Sequence, residues 1–530
     1  MARRGWRWLV ATGLVLGLLP LASLGVAADD AVVTECTEAA FDDALETAHT
    51  NGSGSITFAC SGVISFAGQK EISASVTILG EGNVTLQGTG DSRLFLVHAG
   101  ATLELDGLRL ENGDAGEEVG GAILNNGALT VSASTFSGNR ASVSGGAIYT
   151  TGTLEVSDSE FSGNQAHNAG IPRGGAIYND SGGMVTVEAS TFSGNLASYG
   201  GAIYNASNGT VVVAASTFTG HFTSVGGAIY TTARLEVTAS TFSGNRAAGI
   251  GGAIFISSSG GTASVSASTF SDNWALDHGG AIFTANQLTV TASTFNGNRA
   301  ELGGAIYSSD FDPVVLQSTI LVRYTPDGAA NCGTSSESGG YTSAGYNLSD
   351  DASCNLTAAG DIPDSQDIQL GPLQDNGGPT ETMLPLFGSA AIGAIPPDVC
   401  AGLSTPVDQR GIARPSGARC EIGAVELAQA VICANRYTGQ VRGPLADQTC
   451  ASTSTPLVLP SEEPETLCIH PSTGALTWAP RGNCGALLKH VVPDSGPLSY
   501  CEHTLTGALR YSRMGACSPV ERGGVLPADL

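Results

Sequence analysis

From residue 120 onward the tetrapeptide Gly-Gly-Ala-Ile returns at a nearly fixed interval, beginning at Gly120, Gly145, Gly174, Gly200, Gly226, Gly251, Gly279 and Gly303, with 24 to 29 residues between starts. A second motif keeps step with it: Ser-Ala-Ser-Thr-Phe-Ser-Gly-Asn at Ser132 to Asn139 recurs with Phe161, Phe192, Phe218, Phe242, Phe270 and Phe295 in the aromatic place. Two motifs on one period mean one structural unit used many times. Each unit holds short alternating pieces such as Leu129-Thr130-Val131 and Leu235-Glu236-Val237, bounded by glycine, which reads as short strands. A unit of about 26 residues cannot bury its apolar side alone, so successive units must stack with every strand paired to its equivalent in the next. The chain is therefore expected to be all-β, a right-handed parallel β-helix of the pectate-lyase-like kind. Ten or eleven coils would make a rod of roughly 50 Å.

Stacking brings like residues together at about 4.8 Å. Ser134, Ser159, Ser190, Ser216, Ser240, Ser268, Ser293 and Ser318 should form a hydroxyl ladder at a bend. The phenylalanines should stack inside, ending in Ile320, and Asn139, Asn164, Asn195, Asn245, Asn273 and Asn298 should form an asparagine ladder broken by His221. Packing and backbone satisfaction account for all three columns. Before the repeats, Thr37 to His49 places Ala40, Phe41, Ala44, Leu45 and Ala48 on one face of a short helix stopped by Asn51-Gly52, suited to cap the open edge of the first coil. Residues 55–113 read as irregular early coils.

Met1 to Ala28 carries Arg3, Arg4 and Arg7, then an apolar run, then small residues before Asp29, the pattern of a secretory signal peptide. No second long apolar run follows, so the mature chain is expected to lack an integral span and to be secreted or held at the cell surface. The twelve cysteines fall into near neighbours: Cys36/Cys60, Cys332/Cys354, Cys400/Cys420, Cys433/Cys450, Cys468/Cys484 and Cys501/Cys517. An even count in an exported chain reads as six local disulfides, and without any Cys-x-x-Cys a zinc cluster is not expected. The organisation expected is a signal peptide (1–28), an N-terminal cap with first strands (29–80), β-helix repeats (81–325), a further segment (326–427) and a disulfide-rich β region (428–530).

The paired Gly-Gly-Ala-Ile and Phe-x-x-Asn motifs resemble the repeat of the polymorphic outer-membrane protein family, whose surface passengers are β-helices. That family implies a terminal membrane barrel closed by an aromatic residue, whereas this chain ends Pro527-Ala528-Asp529-Leu530 after a cysteine-rich region, so the autotransporter reading is not carried over. Leu370-Gly371-Pro372-Leu373, Asp375-Asn376-Gly377-Gly378-Pro379-Thr380, Gly388-Ser389-Ala390-Ala391-Ile392, Asp408-Gln409-Arg410-Gly411, Arg414-Pro415 and Cys420-Glu421-Ile422-Gly423-Ala424-Val425-Glu426 follow in order. Together they resemble the choice-of-anchor Q domain of exported β-helix proteins, with Gly393 where that family commonly has an aspartate. Asp408 and Arg410 are expected to form a local ion pair with turn backbone. The last hundred residues contain three Cys-x4-Thr-Gly units, at Cys433, Cys468 and Cys501, each expected to be a β-hairpin stapled by its own disulfide. Trp478, Arg510 and Tyr511 after the turns are candidate glycan contacts, or fill a minimal core.

Chemistry is harder to find. A net charge of −26 with only Lys70 and Lys489 as lysines argues against nucleic acid as a partner, since phosphate recognition needs basic patches. Trp274-Ala275-Leu276-Asp277-His278 resembles a short pectate lyase signature but falls in the variable link before Gly279, where chance explains it. Glycoside hydrolysis needs two carboxylates about 5–10 Å apart. Glu155, Asp158, Glu160, Glu188 and Glu236 lie on or beside the strands, but Glu155 and Glu236, which share a column, should be three coils apart. No hydrolase, metalloprotease or phosphate-loop motif appears. The reading is a non-enzymatic protein with no catalytic, cofactor or metal residue, whose partner is an extracellular polymer, glycan or cell-surface component. A polysaccharide lyase or glycoside hydrolase working in a groove is the alternative, and an ice-binding Ser/Thr surface a third.

Overall fold

The computed structural model describes residues 30–427, apart from 91, 168–169, 310–313, 326–327, 336–339, 387–388 and 417–418, and beyond 427 only the backbone of nine strands. Residues 31–349 wind into a parallel β-helix of about twelve turns. A typical coil has a first face (Thr153–Ser157), a second face (Glu160–Ser162) and a third face (Ile177–Asn179), each paired in parallel with the coils before and after. The register keeps like with like: Leu129, Leu154, Val185, Val211 and Leu235 follow one another on the first face and point into the core. In the early coils single strands, Ser75–Gly88 and Thr102–Glu111, run through both the first and second faces.

The corner that leads from the first face to the next turns on one residue in the left-handed region. Between the first and second faces it is Ala133, Asp158, Ala189, Ala215, Ala239, Ala267, Ala292 and Ser318, with φ between 44° and 52°. An L-residue there costs roughly 1–2 kcal/mol, so something must hold it. The serine ladder does: Ser159 Oγ accepts from Ser134 N–H at 3.1 Å and donates to Ser157 O at 2.7 Å, and the same pair of bonds recurs at Ser190, Ser216, Ser240 and Ser268. The two glycines of Gly-Gly-Ala-Ile answer different demands. The first takes φ near +65°, as at Gly226 (+64°). The second has no room for a side chain, because a Cβ on Gly227 would lie 1.9 Å from Gly252 O in the next coil.

The interior is filled by columns. Phe136, Phe161, Phe192, Phe218, Phe242, Phe270 and Phe295 are fully buried, with ring centroids 4.7–4.9 Å apart and planes within 5° of parallel. The coil repeat imposes that separation, and the parallel rings meet it by offset stacking. In the asparagine ladder Asn139 N–H and Nδ2 both donate to Asn164 Oδ1 (3.1 and 2.9 Å), while Asn164 Nδ2 donates to Phe136 O. At His221 the imidazole Nδ1 accepts from Asn195 N–H (3.0 Å), and the buried Nε2 has no partner among the described residues.

The last coil departs from the sequence expectation by one position. Thr294 pairs with Ile320 and Phe295 with Leu321, so Thr319 stands in the serine column, donating to Gln317 O, and Leu321 in the phenylalanine column. Ser318 takes the left-handed corner instead, and its buried hydroxyl has no partner among the described residues. The coils also run past the change of composition after residue 325, through Cys332–Thr334, Tyr341–Ser343 and Leu348–Ser349, which adds to the ten or eleven turns expected.

At the start, helix α1 (Glu38–Thr50) is capped by Thr37 Oγ1 on Ala40 N–H and buries Phe41, Ala44, Leu45 and Ala48 against the first coil. Phe41 meets Phe66 and Phe95, and Lys70 bridges back to Glu38 and Asp42 at 2.7 Å each. Disulfides join Cys36 to Cys60, Cys332 to Cys354 and Cys400 to Cys420. Beyond 427 the backbone forms three separate three-stranded antiparallel sheets, one for each Cys-x4-Thr-Gly unit. The pairing of Cys433, Cys450, Cys468, Cys484, Cys501 and Cys517, and the side chains of Trp478, Arg510 and Tyr511, lie outside the described residues.

Two predictions follow from the columns. Phe218→Ala should cost about 3–5 kcal/mol, measured by chemical unfolding, because neighbouring rings held at coil spacing cannot collapse into the gap; an unchanged profile would contradict a stacked core. Burial pushes the His221 imidazole down to about 4 from 6.5. The unfolded chain therefore binds a proton at His221 that the folded chain refuses, and stability falls as pH drops from about 6.5 to about 4. His221→Asn should remove that loss, worth up to about 3 kcal/mol at the acid end. Parallel unfolding curves for the two proteins at pH 7 and pH 4.5, with no difference in their pH dependence, would exclude it.

Candidate ligand-binding groove

Two outer features of the solenoid present side chains in rows. The first is aromatic: the residue after Gly-Gly-Ala-Ile is Tyr149, Tyr178, Tyr204, Tyr230, Phe255, Phe283 and Tyr307, on the outward side of the third face. The sequence reading missed this row, although the aromatic recurs on the same period as the tetrapeptide. Ring centroids follow one another at 4.6–5.5 Å. A sugar stacks on the face of an aromatic ring, and here the faces are turned toward one another, so the row offers edges and hydroxyl tips. The row has its own partners as well: the Tyr149 hydroxyl donates to Asp180, and the Arg173 guanidinium lies 5.3 Å from the centre of the Tyr204 ring. Burial, reinforced by the Asp180 carboxylate, holds the Tyr149 hydroxyl well above the usual phenol range, and Tyr204 is pushed up to about 12 chiefly by burial. This row is built for packing.

The second feature is concave. Where the first and second faces meet at the left-handed corner, the small corner residue leaves a groove running along the axis. In the early coils it is open, with a cavity of about 460 Å³ lined by Ala133, Thr135, Asp158, Glu160, Ala189 and Thr191. From Ala239 onward the same groove is roofed by the chain itself. Thr380 Oγ1 donates to Ala239 O (3.3 Å), Thr241 Oγ1 to Glu381 O (2.6 Å), and Ala424 N–H to Thr294 Oγ1 (3.0 Å). The Gln409 amide accepts from Thr269 Oγ1 (2.6 Å) and donates to Thr241 Oγ1 (2.7 Å) and Thr380 Oγ1 (2.9 Å). Gly423 comes so close that a Cβ would meet Ile320 Cδ1 at 2.7 Å. The threonine column records the change: Thr241, Thr269 and Thr294 are buried, Thr135 and Thr217 half-buried, and Thr191 exposed.

The covering strap, residues 378–426, is held by a buried charge cluster. Asp408 Oδ1 accepts from the backbone N–H of Arg410 and Ile412, and its Oδ2 from the Arg410 side chain (2.9 Å) and Glu426 N–H (2.8 Å). This is the ion pair with turn backbone that the sequence suggested. Arg414 and Glu426, both fully buried, pair at 3.1 Å, and Arg414 also donates to Gly423 O and Glu421 O. Three carboxylates against two guanidinium groups leave one negative charge over. Desolvation first, then the neighbouring Glu421 carboxylate, holds the Glu426 carboxyl well above the usual carboxylate range. Gly393 N–H meets Glu421 Oε1 at 3.3 Å.

The candidate carboxylates of the sequence reading divide. Glu155 is separated from Glu236 by Thr186 and Val212 along the column, three coils apart as expected. Asp158 and Glu160 share the open groove, whose lining holds no basic side chain. The Asp277-His278 pair sits in the link before Gly279, with the His278 ring packed on Tyr307 at 4.4 Å. Among the described residues no three His, Cys, Asp or Glu side chains converge as a metal would require, and no helix is long and apolar enough to cross a membrane.

Fold and columns together define a parallel β-helix repeat protein. Its coils are similar to the Chlamydia polymorphic membrane protein repeat: residues 133–151, 189–206, 239–257, 267–285 and 292–309 match that family's model, each span running from the Ser-Thr-Phe corner toward or through the Gly-Gly-Ala-Ile strand. The protein is a β-solenoid of polymorphic-membrane-protein-like repeats. No curated protein and no solved structure matches the chain.

Gln409→Ala removes the amide that ties the strap to two coils and leaves buried hydroxyls unpaired, a loss of about 1–3 kcal/mol. Hydrogen exchange should then show residues 378–426 opening well before the coils at 128–237. Equal protection of the strap in both proteins would mean that the amide does not hold it.

Proposed function

We propose that this is a cell-surface β-helix protein that works by attachment, binding an extracellular polymer, glycan or cell-surface component rather than transforming it. The observation that carries this reading is the match of its coils to a membrane-protein repeat on a rod whose outward second-face rows are mostly Ser and Thr, with Thr135, Glu160, Thr191 and Thr217 in one and Ser137, Ser162, Ser193 and Thr219 in the other. Long polar ladders offer many equal, weak contacts along an axis, which suits a repetitive partner through multivalency. In this reading Met1 to Ala28 directs export and is removed. Residues 326–427 are a choice-of-anchor Q-like module, and the disulfide-rich units of 428–530, with Trp478, Arg510 and Tyr511, contribute recognition at the far end. The three antiparallel sheets there support the unit boundaries on which that assignment rests.

The test is binding of the exported full-length protein to a glycan array and to intact cells, beside the triple variant Trp478→Ala, Arg510→Ala, Tyr511→Ala, with product analysis of each glycan retained. Binding reduced at least tenfold in the variant, without product, is the expected result. Reducing-sugar or unsaturated product would overturn attachment and assign the rod to polysaccharide cleavage.

A further inference from the structure

The groove between the first and second faces is one continuous feature, half of it occupied. Over the coils from Ala239 to Ser318 its occupant is a polypeptide, whose turns at Thr380-Glu381, Gln409 and Gly423-Ala424 bond the corner carbonyls of Ala239 and Ser318 and the hydroxyls of Thr241, Thr269 and Thr294. Over the coils from Ala133 to Thr217 the same corner, serine ladder and outward threonines repeat in register, without a cover. One coil differs in chemistry. Where the others read Ser-Ala-Ser-Thr or nearly so, this one reads Ser157-Asp158-Ser159-Glu160, placing two exposed carboxylates on the groove wall. Neither makes an ion pair among the described residues, and Glu188 adds a third exposed carboxylate at the edge in the next coil.

We propose that this open half docks a segment of a partner protein, seated on the corner as the strap's turns are and carrying a lysine or arginine opposite Asp158 and Glu160. The occupied half supplies the argument for a polypeptide, since the same corner and outward threonines continue into the open coils at Thr135, Thr191 and Thr217, with Glu160 in the threonine place at the coil between. The carboxylates supply the argument for a cation. A turn with the sequence Thr380-Glu381 seated here would bring a glutamate to a coil that already carries two carboxylates, whereas a lysine in its place complements them. This surface is built from residues 133–217 and not from the C-terminal units invoked above, and its test does not depend on them.

The probe is a labelled synthetic peptide with the strap sequence of residues 376–386 carrying Glu381→Lys, titrated against the full-length protein by fluorescence anisotropy. Saturable binding is expected, with the unmodified peptide at least fivefold weaker. Thr191→Trp, a bulky residue well tolerated on a strand, fills the groove and should weaken binding at least tenfold. Asp158→Asn with Glu160→Gln should weaken it at least fivefold and flatten its salt dependence. Glu155→Gln, on the adjoining flat face, should leave it unchanged, and an unaltered unfolding curve verifies each variant. Absence of saturable binding overturns the proposal, as does equal weakening by Glu155→Gln, which would mean attraction to general acidity. A neutral oligosaccharide displaced by Thr191→Trp while the peptide stays silent would give the groove to a glycan and overturn it too.

Discussion

The parallel backbone ladder between successive coils is the interaction on which everything else depends. It sets a spacing near 4.8 Å and holds it for about twelve turns, so every side chain must be compatible with its own equivalent directly above and below. Phenylalanine satisfies that by offset stacking, asparagine and serine by donating to one neighbour and accepting from the other. Glycine is needed where backbones meet, as at Gly227 beneath Gly252. A charge satisfies it badly, because like charges would stack at the same distance. That accounts for the low charge of the repeats and for Glu155 and Glu236 standing three coils apart.

Regularity has an edge, and the chain manages it differently at its two ends. Helix α1 closes the first coil with an apolar face and pins Lys70 between Glu38 and Asp42. At the other end Ile320 and Leu348 of the last coils share one core with Ala391, Ile395, Cys400 and Ile422 of the strap. The strap is therefore continuous with the solenoid's packing, and its buried Asp408–Arg410 and Arg414–Glu426 pairs act on turn geometry. Charges so fully desolvated stabilise little on balance. What they contribute is a defined path, since Asp408 can accept from Arg410, Ile412 and Glu426 only when the turn is closed.

The columns were legible in the sequence wherever the period was intact: the phenylalanine stack, the asparagine ladder with His221 as its interruption, and the serine hydroxyls. They became illegible where the motif thinned. In Leu316-Gln317-Ser318-Thr319-Ile320 the serine looks like the ladder residue, yet strand pairing places Thr319 there, because a threonine hydroxyl serves the same bond to the carbonyl two residues back. The outer tyrosine row was present in the text of the repeat, one residue after each isoleucine, but nothing in a linear reading distinguishes an outward column from an inward one. The groove was less legible still, since its wall joins Asp158 and Glu160 to Ala133 and Thr191 from neighbouring coils, and its roof comes from Glu381 and Gln409, more than a hundred residues further on.

The sequence by itself determined that the chain is a stack of parallel coils. Two motifs on one period of about 26 residues leave an isolated unit unable to bury its apolar side, and a stack of such units is the way to satisfy both the backbone and the core. What only the tertiary structure decided is which part of that stack is free to meet something else. The corner groove is chemically alike from coil to coil, so no local pattern marks where it is open. Its exposure is set by how far a distant segment reaches back along the rod, and that reach follows from long-range packing, with Gly423 against Ile320 and Gln409 between Thr241 and Thr269.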